Sequence, residues 1–390
     1  MGSDLVSACI FCGALLLGPL LPAPAGLSGE MGFSYATLAR RYDVTETRID
    51  GSDVTPKFLL IGLGHAWQAA GDLGAGTPAA EWRLRIAFAP SHDEQERKEE
   101  AAEDIERILT TGNGRYENFA GVARFSLGLA NSLEIAGERR SHKATDLINI
   151  GGENHVFSEQ RSLTAERIDV TAGARHRWNH FEAAAGVLWS KISGFNATAD
   201  AFHHATGKLW GWNAEARWRN GCWSAFATAQ RVSGHFDVHR ESFPSFEARD
   251  SEEPGALEQY RLGVGYAWPR LEVVASAAYD REHLPFVALA VLGTETVAFD
   301  QGFNPDSRMK EWFYEATVRY AVSAAFRIVT TLRLGWGSET VQLTDSAGIL
   351  PTRTFDVKRR GIFGGGISHG LGEPEPTLYV GADVSIGAPR

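Results

Sequence analysis

The feature that most constrains this chain is a two-residue alternation of apolar and polar side chains that recurs from about residue 57 to the end. In residues 208–220, one face carries Trp210, Trp212, Ala214, Ala216 and Trp218. The opposite face carries Gly211, Asn213, Glu215, Arg217 and Arg219. A helix would spread these charges around its circumference, whereas a strand sends alternate side chains to opposite faces. The sequence therefore predicts long β-strands with one apolar and one charged face.

Turn signals divide these stretches into hairpins. Asn220-Gly221 is the clearest, and further turns are predicted near residues 130, 179, 269, 323 and 373. A seventh hairpin joins residues 57–68 to 81–89, and residues 31–45 could add one strand, which makes 14 or 15. An odd number would leave the two chain ends on opposite sides. Either Phe286–Phe299 is a further strand, which gives 16, or residues 31–45 are not a strand. We predict about 14 strands, within a range of 12 to 16.

Two kinds of β-protein alternate in this way: soluble sandwiches or propellers, and membrane barrels. The alternating stretches often exceed nine residues, whereas soluble strands average about 5–6 residues and membrane strands need about 9–11. Aromatic residues gather near the predicted turns, at Trp178, Phe181, Trp218, Trp223, Trp268, Tyr320 and Phe326. Others stand near the longer loops, at Trp189, Trp210, Trp312 and Trp336. Two aromatic belts are typical of a barrel at the two membrane interfaces.

The N-terminus predicts export. Residues 5–21 are almost purely apolar and lead to Ala23-Pro24-Ala25, the small-x-small pattern of a cleavage site, although Asp4 replaces the usual basic residues. We predict a signal peptide over residues 1–25, which leaves Cys222 as the single cysteine of the mature chain. No other stretch is apolar over the roughly 18 residues that a helical span needs. A membrane location therefore requires a closed barrel.

On these features the chain resembles the general outer-membrane β-barrel class of Gram-negative bacteria, porin-like in layout, over residues 26–390. The resemblance implies an all-β, transmembrane, antiparallel up-and-down barrel in the cell outer membrane, in contact with its lipid. It rests on architecture, so no functional residue is carried over. We predict extracellular loops near residues 90–115, 141–163, 193–207, 236–257, 283–309 and 342–354. The charge-dense segment 91–108 within the first loop could form a short exposed helix.

The charged face of the strands supplies the candidate selectivity residues. They are Arg83, Arg85, Arg124, Arg167, Asp169, Arg175, Glu182, Glu215, Arg217, Arg261, Glu272, Glu315, Arg319, Arg327, Arg333 and Asp383. Arginines opposed to carboxylates can create a field that orients passing solutes. Alternatively, these side chains pair across a narrow lumen and fill it. The surplus of arginine in this set favours anionic solutes slightly.

Other constellations are weaker. His235, Asp237, His239 and Glu241 alternate on one face, and two imidazoles with two carboxylates can hold a divalent metal. Solvated loop residues explain the same pattern. No catalytic set was found, since a Ser-His-acid triad can be drawn in any chain this rich in serine and histidine. We expect no cofactor, and the net charge of −10 argues against a nucleic-acid partner.

Two functional classes remain open. The first is a passive or weakly selective outer-membrane channel for small hydrophilic solutes. The second is a barrel with a closed lumen that acts through its loops, as a lipid-modifying enzyme, an adhesin or an assembly partner. The sequence favours the channel and leans against an enzyme. A transporter with a plug inside a 22-stranded barrel needs more chain than 390 residues provide.

Overall fold

The computed structural model describes residues 27–48, 58–76, 79–100, 105–152, 155–197, 201–242, 247–285, 303–321, 327–345, 353–361 and 378–381. These residues form strands joined by short turns, and no helix occurs among them. A search of the same residues finds no helix that is long and apolar enough to cross a membrane. The predicted signal peptide lies outside the described residues.

Fifteen strands are described. The first eight are β1 Leu27–Arg48, β2 Phe58–Gly76, β3 Ala80–Glu100, β4 Ile105–Leu127, β5 Asn131–Gly152, β6 His155–Trp178, β7 Phe181–Ala197 and β8 Ala201–Asn220. The others are β9 Trp223–Ser242, β10 Glu247–Ala267, β11 Leu271–Leu284, β12 Phe303–Ala321, β13 Arg327–Asp345, β14 Arg353–Gly361 and β15 Leu378–Gly381. β1 contains the whole of residues 31–45, so this segment is a strand. Phe286–Phe299 lies outside the described residues.

The strands pair antiparallel with their neighbours in sequence, from β1 through to β13. The position between β13 and β1 is taken by two short strands, β14 and β15, each of which pairs with both. At this seam the described pairs cover residues 36–37 and 40–48 of β1 and residues 329–332 and 335–343 of β13. The predicted up-and-down antiparallel barrel of about 14 strands is confirmed.

The turn predicted near residue 373 lies outside the described residues. The strands described on either side of that stretch, β14 and β15, both run antiparallel to β1 and β13, so they share one direction and one position in the sheet. This arrangement removes the parity problem, because β1 begins and β15 ends on the side of the short turns. Two-residue turns close the hairpins on this side at Asn179-His180 and Gly221-Cys222.

Much of the chain predicted as loop is strand. β3 continues to Glu100, which pairs with Ile105 at the start of β4, so residues 91–100 and 105–108 form strand and not the short helix that their charge spacing allowed. Similar extensions occupy most of the described residues in the other predicted loops. The two strands of each hairpin are already paired within the membrane-spanning part of the barrel, so their hydrogen bonding continues beyond it. Beyond the membrane the outer face of a strand meets water instead of lipid, so an apolar outer face is no longer required there.

These extensions project well past a bilayer. β6 has 24 residues, which at about 3.3 Å per residue and a tilt near 40° span roughly 60 Å, against an apolar band of about 25 Å. We call the two ends of the barrel the short-turn side and the loop side. That the loop side is extracellular stays a prediction from the loop lengths.

The apolar face of the strands is exposed on the outside of the barrel, as expected for a surface solvated by lipid. On the short-turn side it ends in a belt made of Trp178, Phe181, Trp218, Trp223, Tyr266, Trp268 and Tyr320, within which Trp178 and Phe181 have ring centroids 4.6 Å apart. The loop-side belt is made of Trp189, Trp210, Tyr279 and Trp312. Trp210 and Trp218 stand eight residues apart on β8, which is roughly 20 Å across the membrane.

Candidate functional site

The interior of the barrel holds a polar cavity at the level of the membrane. Its volume is about 490 Å³, and its wall is built from β5 through β12. Asn213 and Glu215 line it and lie between Trp210 and Trp218 on β8, which places the cavity between the two aromatic belts. A second cavity of about 390 Å³ adjoins it and shares Arg140, Thr171, Asn213 and Gln230. Small and polar side chains thus leave space inside the barrel.

Arg175 is the centre of the charged wall. Its guanidinium pairs with Glu182, lies 2.9 Å from the Glu215 carboxylate and lies 3.3 Å from the Glu134 carboxylate. The Arg175 side chain is only 8% exposed. Ala184 stands between Arg175 and Glu215 in the sheet, and its small side chain lets the arginine reach two strands away.

The ion pairs continue around the wall on either side of Arg175. Arg124 pairs with Glu81 and lies 2.9 Å from Glu134. On the other side of the barrel, Arg261 lies 2.5 Å from Glu315, and Arg319 lies 3.0 Å from Glu272. Further pairs on the same face are Arg167–Asp169, Arg217–Glu215, Arg140–Glu138 and Arg240–Glu253. These pairs join residues on one strand or on strands close together in the sheet, so the charges lie along the wall and leave the cavity open.

The structure therefore brings together most of the predicted charged face, and it adds carboxylates that the sequence analysis missed. Glu81, Glu134 and Glu138 each pair with an interior arginine. Glu134 could have been found, because it lies directly opposite Arg124 in the β4–β5 hairpin, only ten residues away. These carboxylates offset the predicted surplus of arginine.

Some predicted residues contribute less or cannot be placed. Arg83 lines the smaller cavity and is exposed. The backbone of Arg85, Arg327 and Arg333 belongs to β3 and β13, but their side chains lie outside the described part of the structure, as does Asp383. A role in selectivity for the charged face stays a prediction.

An apolar layer that the alternation did not predict lies inside the barrel, on the loop side of the cavity. It comprises Ala165, Leu188, Ile192, Ala205, Leu209, Val232, Phe236, Val238, Leu257 and Leu284, each at most 2% exposed. Phe236 on β9 fits between two glycines, since a Cβ added to Gly207 would lie 2.5 Å from its ring and one added to Gly255 would overlap it. Beyond the layer, buried Arg240 lies 2.8 Å from Glu253 and donates to the carbonyl oxygen of Pro285.

The four predicted metal ligands share the outer face of β9, beyond the loop-side belt. The structure brings two of them together: His239 Nε2 lies 2.9 Å from Glu241. The other nitrogen of His239, Nδ1, lies 2.7 Å from Asp250, and His235 and Asp237 are not part of this contact. Among the described side chains, no group of three or more His, Cys, Asp or Glu has the arrangement of a metal site. Metal binding at His235, Asp237, His239 and Glu241 stays a prediction.

The two carboxylates favour a protonated His239. Hydrogen bonds to Asp250 and then to Glu241 raise the pKa of His239 above its ordinary value of about 6.5. A raised pKa means that the interaction stabilises the fold fully below the ordinary pKa and that this contribution is lost as the pH rises through the raised value.

We expect Asp250→Asn to lower the pKa of His239 toward the ordinary value, because the stronger of the two contacts loses its charge. Histidine-selective NMR of the protein in detergent, followed against pH, measures the change. Asp237→Asn is the matched control, since it removes an exposed carboxylate on the same strand face that is not among the causes of the His239 shift. Equal shifts in both variants would contradict the assignment.

Comparison with known proteins adds to this picture at the level of fold. No protein-family profile matches the chain, and no curated protein matches it in sequence. Among solved structures, it is similar to the Pseudomonas putida toluene transporter TodX, with 10% identity and a TM-score of 0.44, over 87% of this chain and 89% of that one. A Pseudomonas aeruginosa FadL homologue has 11% identity and a TM-score of 0.43, over 86% of this chain and 89% of that one.

The translocator domain of the autotransporter NalP from Neisseria meningitidis has 8% identity and a TM-score of 0.33, over 92% of this chain and 97% of that one. The fold is that of an outer-membrane β-barrel. Its ring of antiparallel strands and its two aromatic belts carry this conclusion. At such low identity the likeness extends to architecture alone, and no residue of this chain acquires a role from these proteins.

Proposed function

We propose that the protein is a weakly selective outer-membrane channel for small hydrophilic solutes. The observation that supports this most directly is the polar cavity of about 490 Å³ between the aromatic belts. Its wall presents Asn213, Thr228, Gln230 and Gln259, whose side chains hydrogen-bond to polar solutes without selecting charge.

The charges on the wall argue for weak selectivity. The cavity is lined by the carboxylates of Glu134, Glu215, Asp280, Glu282 and Glu311 and by the guanidinium groups of Arg140, Arg175 and Arg261. Arg124 and Arg217 pair with Glu134 and Glu215 from beside this lining, which makes five charges of each sign and leaves little net field on a passing ion. The proposal therefore does not include the anion preference that the arginine surplus suggested.

Recordings in planar lipid bilayers test the channel. Purified, heat-modifiable protein is expected to give stable conductance steps, with a reversal potential close to zero in a gradient of potassium chloride. A large reversal potential of either sign would contradict weak selectivity. Failure of the folded protein to conduct would overturn the channel itself.

The apolar layer supports a second candidate, a barrel whose lumen is closed and whose loop side does the work. The apolar side chains of the layer, with the buried Ser190 between Leu188 and Ile192 on β7, fill this part of the lumen and oppose the passage of water and ions. The same recordings separate the two candidates. If the wild-type protein does not conduct and the Phe236→Ala variant does, the lumen of the wild type is closed. Conductance in the wild type favours the channel.

The single cysteine of the mature chain tests the orientation. Cys222 is exposed in the short turn between β8 and β9. We expect a maleimide too large to cross the outer membrane to leave Cys222 unmodified in intact cells and to modify it after the membrane is permeabilised, because short turns of such barrels face the periplasm. Glu252→Cys in a Cys222→Ser background is the control, since the exposed Glu252 lies on the loop side and should react in intact cells.

A further inference from the structure

The two aromatic belts differ in charge. On the outer face near the loop-side belt stand Arg139, Lys191, Lys208, Arg231, Arg281 and Lys310. Near the short-turn belt, the outward positions of the described strands β3 to β12 hold aromatic and aliphatic residues, with His176, Asn131 and Asn220, and no lysine or arginine. The two membrane interfaces therefore offer different environments to lipid headgroups.

Lys191 and Lys208 lie directly opposite each other on β7 and β8, and Lys208 lies directly opposite His235 on β9. We call these three residues the basic row. Like charges directly opposite in a sheet destabilise it. Elsewhere on this face, arginines have carboxylate partners, as in Arg139–Glu166 and Arg231–Glu258. In the part of the chain that the structure describes, no carboxylate lies within ion-pairing distance of Lys191 or Lys208.

The nearest outward carboxylates do not change this. Glu166 on β6 lies opposite Ser193 and so diagonal to Lys191, and its carboxylate is paired with Arg139 at 2.5 Å. Asp237 lies opposite Thr206, diagonal to Lys208, and is exposed. The charge of Lys191 also acts on its surroundings, since burial, His239 and Lys191 together lower the pKa of His204. The basic row is thus a local concentration of positive charge on a chain whose net charge is −10.

The row adjoins an aromatic surface on its membrane side. Trp189 precedes Lys191 by two residues and Trp210 follows Lys208 by two, so each tryptophan shares a face with a lysine. The two indoles lie opposite each other with ring centroids 6.5 Å apart, and Trp210 is 64% exposed. An apolar patch at the edge of the bilayer with cations immediately above it matches a lipid that has a negative headgroup and acyl chains.

We propose that the basic row binds the phosphate of a phosphorylated lipid in the leaflet on the loop side, with the acyl chains against Trp189 and Trp210. The ammonium groups of Lys191 and Lys208 donate to the phosphate oxygens, and the phosphate relieves the repulsion between them. His235 completes the row at its far end. This site lies on the outer wall of the barrel and does not depend on whether the lumen conducts.

The probe is diphosphorylated lipid A, added to the purified protein in neutral detergent, with bound lipid counted by native mass spectrometry. The double variant Lys191→Gln/Lys208→Gln removes both charges and keeps the length of the side chains. We expect it to bind the lipid roughly 30-fold more weakly, since each basic residue at an anionic surface contributes about 1 kcal/mol. The control Arg219→Gln/Arg270→Gln removes two charges from the exposed short-turn side and should bind like the wild type.

Three results would overturn the site. If the Lys191→Gln/Lys208→Gln variant binds lipid A as strongly as the wild type, the basic row does not take part in lipid binding. Equal binding of lipid A stripped of its phosphates would show that the indoles alone carry the contact. A gain in thermal stability from inorganic phosphate alone, as large as that from lipid A, would show that the site takes free phosphate and not lipid. Heat-modifiable migration of each variant confirms that it is folded.

Discussion

Arg175→Ala is expected to destabilise the barrel by about 2 to 3 kcal/mol. Removing one partner of a buried ion pair leaves charge without compensation, which costs about 3–5 kcal/mol in a dry interior. Here Glu134, Glu182 and Glu215 would face one another with one cation fewer between them. The expected loss is smaller than the dry value because the polar cavity is large enough to admit water and each carboxylate keeps a second arginine.

Urea unfolding of the protein in lipid vesicles, followed by tryptophan fluorescence, measures the loss. Arg177→Ala is the matched control, because Arg177 contacts Glu182 alone and is 66% exposed. Its expected effect is below about 1 kcal/mol. Arg175→Ala also tests the channel. It removes a positive charge from the lumen, so the reversal potential should move toward cation selectivity. Equal stability of the two variants would contradict a central role for Arg175.

Phe236→Ala is expected to have the largest effect in the loop-side half of the barrel, a loss of about 3 kcal/mol or more. The ring is fully buried in the apolar layer, against Gly207 on β8 and Gly255 on β10. Truncating it leaves a cavity that the flanking strands are too constrained to fill. The layer would also lose its largest side chain, so conductance should rise in a channel and appear in a closed barrel.

A pair of substitutions distinguishes this packing from a general effect. Gly207→Ala alone should destabilise the protein, because its Cβ would lie 2.5 Å from the Phe236 ring. In the Phe236→Ala background the same change should cost little, so the two effects are expected to be strongly non-additive. Phe236→Leu should recover part of the stability. Additive losses would show that the ring does not occupy the space above Gly207.

Prediction from the sequence was most accurate where the chain meets lipid. In β8, each alternate residue from Trp210 to Trp218 faces outward as predicted, and the partner strand follows from the turn after Asn220. It was least accurate on the loop side, where β3 continues through a segment expected to be loop.

The candidate site shows the same division. Alternation predicted that Arg175, Glu182 and Glu215 lie on the interior face. It did not predict the strand register that brings Glu182 and Glu215 to the Arg175 guanidinium. Glu134 was overlooked for this reason, although it lies opposite Arg124. The apolar layer was not anticipated because outside the membrane neither face of a strand is required to be apolar.

What the sequence by itself determined is which side of each membrane-spanning strand meets lipid. That information is local, because a two-residue period and the tryptophans at its ends are contained in each stretch of about ten residues. The tertiary structure alone decided which charges pair, where the cavity lies, how far the strands extend and which cations oppose one another at Lys191 and Lys208. These features depend on the register between strands. Register is a property of two paired segments and cannot be derived from the sequence of either segment alone.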